Sequence, residues 1–327
     1  MSDPSSSSST LTPVVPRQIA PAVLTDLPHH EPGAPHPSNV KLYSLLSLML
    51  VLWSANYIVG KVIMREVPAP LASGLRLFFS SIAMIPIYLW TRARKGTPRI
   101  EWPEIRQLAM LGLVGVGLNQ VFFLWGLSRT SVGHAALIVA LTPALVLLIA
   151  VFTKQEKFNR WKVAGLVVAI AGVGSLQVMP GKFDGATLLG DFLIFLCALT
   201  FSIFTVAGKR VTRHFDTVTV TTFSYCASSL VITPIVLAGH LNFDFAKVSS
   251  LAWISMIYMA WIPSLLGLSI YYYALKYIPA SRVSLQSYLQ PLMATLLAVP
   301  LLREPVTMPL LIGGGLVMSG VFLAGRR

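Results

Sequence analysis

SVGHAALIVALTPALVLLIAVFTKQEKFNRWKVAGLVVAIAGV, residues 131–173, decides the fold of this chain. It consists of two apolar segments joined by a short charged loop. The same layout returns in residues 279–321, PASRVSLQSYLQPLMATLLAVPLLREPVTMPLLIGGGLVMSGV. Equivalent residues are 148 positions apart: Pro143 and Pro291, Glu156 and Glu304, Gly165 and Gly313, Gly172 and Gly320. A constant offset of this kind indicates an internal duplication.

The duplication continues toward the N-terminus at the same offset. The further matches are Ser54 with Ser202, Gly60 with Gly208, Lys61 with Lys209, Ser80 with Ser228 and Pro86 with Pro234. We therefore expect one copy in residues 41–179 and a second in residues 187–327. Residues 1–40 precede both copies, are rich in Ser, Pro and His, and are expected to form a disordered cytoplasmic tail.

The composition is that of an integral membrane protein. Hydrophobic residues make up 55% of the chain and charged residues only 11%, against roughly 25% charged in soluble domains. The net charge of +13 does not predict nucleic-acid binding, because the basic residues lie in short loops between apolar runs. Cys197 and Cys226 both lie within apolar runs, so no disulfide framework is expected.

Ten apolar runs are long enough to cross a bilayer as helices, which takes about 20 residues. Each copy contains five of them. Because five is odd, the second copy must enter the membrane upside down, as in transporters built from inverted repeats around a central cavity. The predicted fold is thus all-α, with ten spans at about 42–63, 70–91, 106–127, 132–153, 161–179, 187–208, 217–239, 250–275, 282–302 and 307–325.

The basic residues predict the orientation of these spans. With the N-terminus in the cytoplasm, 18 of the 25 Lys and Arg residues fall on the cytoplasmic side, as the positive-inside rule requires. Both termini are then cytoplasmic. We expect the protein to lie in a plasma membrane, specifically a bacterial inner membrane, with the lipid bilayer as its surroundings.

Polar and aromatic side chains within the spans are the candidates for contacting a small-molecule substrate. An unpaired amide in hydrocarbon costs several kcal/mol, so it needs a partner or a role. The alternatives are hydrogen bonds between helices for the amides and simple packing for the aromatic residues. The candidate substrate-binding residues are Trp53, Asn56, Asn119, Trp261, Tyr271, Gln286 and Gln290.

Charged groups in the spans are few. None of the 12 acidic residues is predicted at mid-span, which disfavours an exporter of lipophilic cations that holds its cargo on a deep carboxylate. His134, about one turn into the fourth span, is the candidate for proton coupling, because histidine changes charge near neutral pH; the alternative is an interfacial histidine without a role. Arg76 is expected either to snorkel or to pair with a carbonyl or an anionic group.

Two structural roles are predicted for the ends of the copies. Glu156 and Glu304 precede the fifth and tenth spans and are expected to cap those helices. The same two spans are rich in glycine, which permits close contact between helices. We expect them to form a scaffold or the contact of a homodimer.

Several segments resemble a known transporter family. They are WSANYIVGK (53–61), PLASGLRLFFSSIAMIPIYL (70–89), LSRTSVGHAALIVALTPALVLLIAV (127–151), YYYALKYIPASRVSLQSYLQP (271–291) and GGGLVMSGV (313–321). Together they resemble the two repeats of EamA transporters of the drug/metabolite transporter superfamily, over about residues 42–325. At His134 and Arg282 the chain departs from the small residues more usual there.

The resemblance implies alternating access and export of small metabolites such as amino acids. A drug or organic-solute exporter and a nucleotide-sugar or organic-phosphate exchanger remain alternatives. No P-loop is present, so the driver is expected to be a proton gradient or the substrate's own gradient. No cofactor, metal site or catalytic residue is expected. A membrane-embedded enzyme would need a cluster of His, Asp or Cys near one interface, and the sequence indicates none.

Overall fold

The computed structural model describes residues 37–95, 100–154, 160–178, 185–211, 215–278, 283, 289–304 and 306–324. Its regular elements within these ranges are helical. The α-helices are α1 (Asn39–Ile63), α2 (Ala69–Lys95), α3 (Trp102–Gly112), α4 (Asn119–Leu127), α5 (Val132–Val139), α6 (Thr142–Phe152), α7 (Arg160–Val178), α8 (Gly185–Val211), α9 (Thr217–Ala238), α10 (Ser250–Trp261), α11 (Leu268–Tyr277), α12 (Gln290–Leu302) and α13 (Met308–Ala324).

Two π-helical segments join α-helices into longer rods. The segment π1 (Leu113–Leu118) connects α3 to α4, and π2 (Ile262–Gly267) connects α10 to α11. A 3-10 turn at Phe245–Lys247 precedes α10. The wider π turn rotates the residues that follow it and is frequent at functional sites.

Seven helical stretches in the described residues are long and apolar enough to cross a membrane. Three shorter apolar helices, Val163–Gly172, Gln290–Leu302 and Leu310–Gly320, coincide with the predicted fifth, ninth and tenth spans. The all-helical membrane class is thereby confirmed. The count of ten spans and the inversion of the second copy stay predictions.

Helix starts recur at the spacing found in the sequence. Four pairs of helices begin 148 residues apart: α2 and α9 at Ala69 and Thr217, α3 and α10 at Trp102 and Ser250, α6 and α12 at Thr142 and Gln290, α7 and α13 at Arg160 and Met308. The first residues of π1 and π2 are separated by 149 positions. Helices α2 and α9 also pack against each other, as do α7 and α13.

Close approach of α7 and α13 depends on their glycines. A Cβ built at Gly172 would lie 2.8 Å from the Gly313 carbonyl oxygen, and one at Gly320 would lie 2.5 Å from the Gly165 carbonyl oxygen. These glycine faces therefore contact each other within the chain. The homodimer contact stays a prediction.

The prediction that Glu304 caps the helix that follows it is wrong. The Glu304 carboxylate accepts hydrogen bonds from the backbone N–H of Val132, at 2.9 Å and 3.2 Å to its two oxygens. It therefore caps α5, whose first turn has N–H groups without helical partners, rather than the helix that follows it. Glu156 lies outside the described residues.

Candidate functional site

A cavity lies between the two main hydrophobic clusters of the bundle. Tyr57 and Phe123 in its wall belong to one cluster, and Val116 and Leu268 belong to the other. The cavity has a volume of about 100 Å³. Its wall draws on α1, α2, π1, α4, α5, α6, α8, α9, π2, α11 and α12, so both predicted copies contribute.

The wall combines aromatic rings with neutral polar groups and one cation. The aromatic rings are those of Trp53, Tyr57, Phe123, Phe201 and Tyr225. The other polar side chains are those of Asn56, Arg76, Asn119, Gln120, Thr142, Cys197, Ser264 and Gln290. Within the described part of the chain, no Asp or Glu lines this cavity.

Four of the predicted substrate-binding residues lie in this wall. The Trp53 indole N–H donates to the Pro263 carbonyl oxygen at 3.0 Å, which joins α1 to π2. The Asn119 side-chain N–H group donates to the Cys197 carbonyl oxygen at 2.9 Å, which joins α4 to α8. Asn56 and Gln290 are only 7% and 4% exposed, and their side-chain oxygens have no hydrogen-bond partner.

The other predicted residues lie elsewhere. Tyr271 is fully buried behind the wall, where its hydroxyl is 2.6 Å from the Thr205 hydroxyl and its ring packs against Trp53 and Phe201. Trp261 is 45% exposed, and its indole N–H donates to the Phe79 carbonyl oxygen at 3.2 Å. It is the last residue of α10, where the change to π2 alters the helical register. Gln286 and Arg282 lie outside the described residues.

Arg76 is the one wall residue with a full charge among those described. It is 3% exposed, and its Nε–H donates to the Ser264 hydroxyl at 2.9 Å. Its Nη1 has no partner. The snorkelling alternative is wrong, because the guanidinium is buried within the bundle instead of reaching an interface. The signal in the sequence was a cation well inside an apolar run.

His134 and Asp191 form a second polar site nearer one end of the bundle. His134 Nδ1 is 3.1 Å from Asp191 Oδ2, and the Thr130 hydroxyl donates to Asp191 Oδ1. Asp191 is 7% exposed and lies six residues after α8 begins at Gly185. Asp191 is therefore a buried carboxylate in the first two turns of α8, and the prediction that no acidic residue lies at mid-span is not contradicted by it.

Charged groups on neighbouring elements surround this second site. Lys61, at the end of α1, donates from Nζ to the Thr130 carbonyl oxygen at 2.6 Å. Glu304 caps Val132 two residues before His134. The first turn of α5 is therefore fastened to α1, to α8 and to the loop between α12 and α13.

Comparison of the sequence with models of protein families identifies the family of this chain. The model described as the EamA-like transporter family matches residues 41–176 and again residues 188–326, which is most of the chain. This protein belongs to the EamA-like transporter family. It is accordingly an integral membrane transporter of the drug/metabolite transporter type, and the resemblance stated from its sequence is confirmed.

Curated relatives are similar at low identity over most of their length. The uncharacterized transporter YetK of Bacillus subtilis is 24% identical over 284 residues, covering 86% of each chain. A probable terminal-alkyne amino-acid exporter of Streptantibioticus cattleyicolor is 25% identical, covering 78% of this chain and 84% of its own. A probable amino-acid metabolite efflux pump of Salmonella typhimurium is 24% identical, covering 85% and 93%.

A solved crystal structure has the same fold. It superposes with a TM-score of 0.64 and covers 88% of this chain and 97% of its own. At 20% sequence identity, this likeness concerns the fold alone. It agrees with the helical fold described above.

Proposed function

We propose that this EamA transporter exports amino acids or closely related compounds across a bacterial inner membrane. The observation that carries the proposal is the composition of the cavity wall: aromatic rings, neutral amides and one buried guanidinium, with no described carboxylate. Such a wall suits a solute that carries an anionic group and an apolar part. The names of two relatives, an amino-acid exporter and an amino-acid metabolite efflux pump, support the same class.

The proposed mechanism is alternating access between two inverted five-helix repeats, with both termini in the cytoplasm. Recurrence of helix starts at 148 residues and of π segments at 149 supports two similar halves. Helices of both halves contribute to the cavity wall. Rocking of one half against the other would expose the cavity first to one side of the membrane and then to the other.

The proposed coupling site is the pair of His134 and Asp191. An imidazole 3.1 Å from a carboxylate can hold one proton between the two groups, and histidine changes charge in the physiological range. The pair lies on α5 and α8, near the end of the bundle where α1 terminates. In the proposed orientation this is the outer end, where external protons would enter.

The test is efflux from proteoliposomes that contain the purified protein and radiolabelled amino acids, supplied one at a time. Saturable efflux above that of protein-free liposomes is expected for at least one amino acid. Asn56→Ala is expected to change its KM, whereas Thr91→Ala, on an exposed turn of α2, should not. Collapse of an imposed proton gradient distinguishes proton coupling from flow down the substrate gradient.

The same assay covers the alternative substrates. Lipophilic cations would place a like charge beside Arg76, so we expect no efflux of ethidium. Organic phosphates would bring two negative charges to a cavity whose described wall has one cation, Arg76. We therefore expect glucose 6-phosphate to be a poor substrate. Efflux of either compound with no efflux of any amino acid would contradict the proposal.

A further inference from the structure

Three buried polar atoms of the cavity wall have no partner: Arg76 Nη1, Asn56 Oδ1 and Gln290 Oε1. They belong to α2, α1 and α12, and all three residues line the same cavity. Buried polar groups in folded proteins are nearly always paired. An unpaired donor of positive charge and two unpaired acceptors in one cavity therefore indicate a missing ligand with complementary groups.

The three atoms differ in what they require. The Arg76 guanidinium is a cationic donor with a fork geometry that suits a carboxylate, and in the described wall it has no carboxylate partner. The two amide oxygens can only accept. A ligand that satisfies all three must offer an acceptor, best an anionic one, together with a donor hydrogen for each amide oxygen; an ammonium group supplies both hydrogens from one atom.

We propose that the cavity binds the zwitterionic head group of an α-amino acid, with its carboxylate on Arg76 and its ammonium on the oxygens of Asn56 and Gln290. The inference rests on the proposed function and adds to it the chemistry of recognition. The zwitterion supplies the counter-ion of Arg76 without adding net charge to the cavity. Neutral amides bind its ammonium without needing a buried carboxylate.

This arrangement discriminates against molecules that have only one of the two charges. An amine without a carboxylate leaves Arg76 Nη1 unpaired and adds a second positive charge close to it. A carboxylate without an amine leaves both amide oxygens unpaired. The rings of Trp53, Phe123 and Phe201 then leave an apolar surface for the side chain of the amino acid, which favours phenylalanine or leucine.

The first experiment needs no variant. Efflux of radiolabelled phenylalanine and of leucine from proteoliposomes is measured while unlabelled competitors are added: phenylalanine, phenylalaninamide, phenethylamine and 3-phenylpropionate. A lost charge-assisted hydrogen bond corresponds to about 10- to 100-fold in affinity. We expect each of the three analogues to compete at least about 10-fold more weakly than phenylalanine.

The second experiment uses Arg76→Gln, which removes the charge and keeps a side chain able to bond Ser264. Phenylalanine efflux is expected to fall, and the preference for phenylalanine over phenylalaninamide is expected to shrink by about 10-fold or more. Arg76→Lys keeps the charge without the fork and should retain part of that preference. Arg92→Gln is the matched control, because Arg92 lies on the same helix and contacts Tyr88 at its far end.

The outcomes separate this inference from the proposed function. If amino acids are exported but phenylalaninamide competes as well as phenylalanine, the head-group assignment is overturned and the exporter stands. If neither phenylalanine nor leucine moves while other amino acids do, the apolar side-chain assignment is overturned. If no amino acid moves at all, the proposed function fails, and this inference fails with it.

Discussion

Substitution of Gly115 by alanine should push π1 away from α8. Gly115 lies in π1 and lines the cavity. An added Cβ would lie 2.0 Å from Cδ2, 2.2 Å from Cγ and 2.3 Å from Cβ of Phe204, whereas ordinary contacts are 3.4–4 Å. Because two of these atoms are near the backbone of α8, the ring cannot rotate away, and π1 and α8 must move apart by more than ~1 Å.

The magnitude follows from two opposing effects. Overpacking of a core costs about 1–3 kcal/mol, and the severity of this clash places Gly115→Ala toward the upper part of that range. The gain in helix propensity from glycine to alanine is about 0.5–1 kcal/mol. We expect Gly115→Ala to lower the free energy of unfolding by about 2 kcal/mol and to reduce efflux.

Gly208→Ala is the matched control, because it lies on α8 four residues after Phe204. A Cβ at Gly208 would be 3.7 Å from Tyr272 Cε1, an ordinary contact, so only the gain in propensity is expected. Thermal unfolding of the purified variants in detergent should place Gly115→Ala about 5–10 °C below Gly208→Ala, at about 2–4 °C per kcal/mol.

A double-mutant cycle with Phe204→Ala, which removes the clashing Cγ and Cδ2 atoms, tests the cause. The cost of Gly115→Ala should shrink by more than about 1 kcal/mol when the ring is absent. Equal stability of Gly115→Ala and Gly208→Ala would refute the packing argument. An unchanged cost in the Phe204→Ala background would refute the assignment to that ring.

Three further predictions concern charged groups. Asp191→Asn should make amino-acid efflux insensitive to an imposed proton gradient, while Asp244→Asn, which changes an acid half-exposed at the surface, should not. Glu304→Ala should cost about 0.5–2 kcal/mol through loss of the α5 cap, seen as a lower unfolding temperature. Hydrogen bonds from the Ser249 backbone N–H and hydroxyl lower the pKa of Glu66 below its ordinary 4.5. The stabilisation by Glu66 should therefore be present at neutral pH and disappear as the pH falls below about 4.5; Glu66→Gln should lack this pH dependence.

The sequence was sufficient for the all-helical membrane class and for the repeat spacing, because hydrophobic length and internal repetition are properties of the chain itself. The offset of 148 residues between Pro143 and Pro291 appears again as the spacing of the starts of α6 and α12. The sequence also singled out Asn56, Asn119 and Gln290, which line the cavity, because a neutral amide in an apolar run is visible without a structure.

The sequence was insufficient to predict which residues line the cavity where that depends on how a helix is rotated about its axis. Trp261 and Tyr271 occupy the same rod, yet the π turn between them leaves one at the surface and the other behind the wall. No periodicity of 3.6 residues anticipates that change of register. The burial of Asp191 could not be predicted for a related reason, because its position along α8 does not reveal that His134 of α5 lies beside the carboxylate.

The two polar sites are separate, and this bears on how proton transfer would be coupled to substrate transport. Arg76 lines the cavity, whereas His134 and Asp191 join α5 to α8 nearer the helix ends. Proton transfer at Asp191 therefore need not involve the substrate directly. Because α5 is also held by Lys61 through the Thr130 carbonyl and by Glu304 through Val132, a change of charge there acts on a junction of four segments. A coupling effect that persists in Arg76→Gln would agree with this division, and one abolished together with substrate binding would argue for a single shared site.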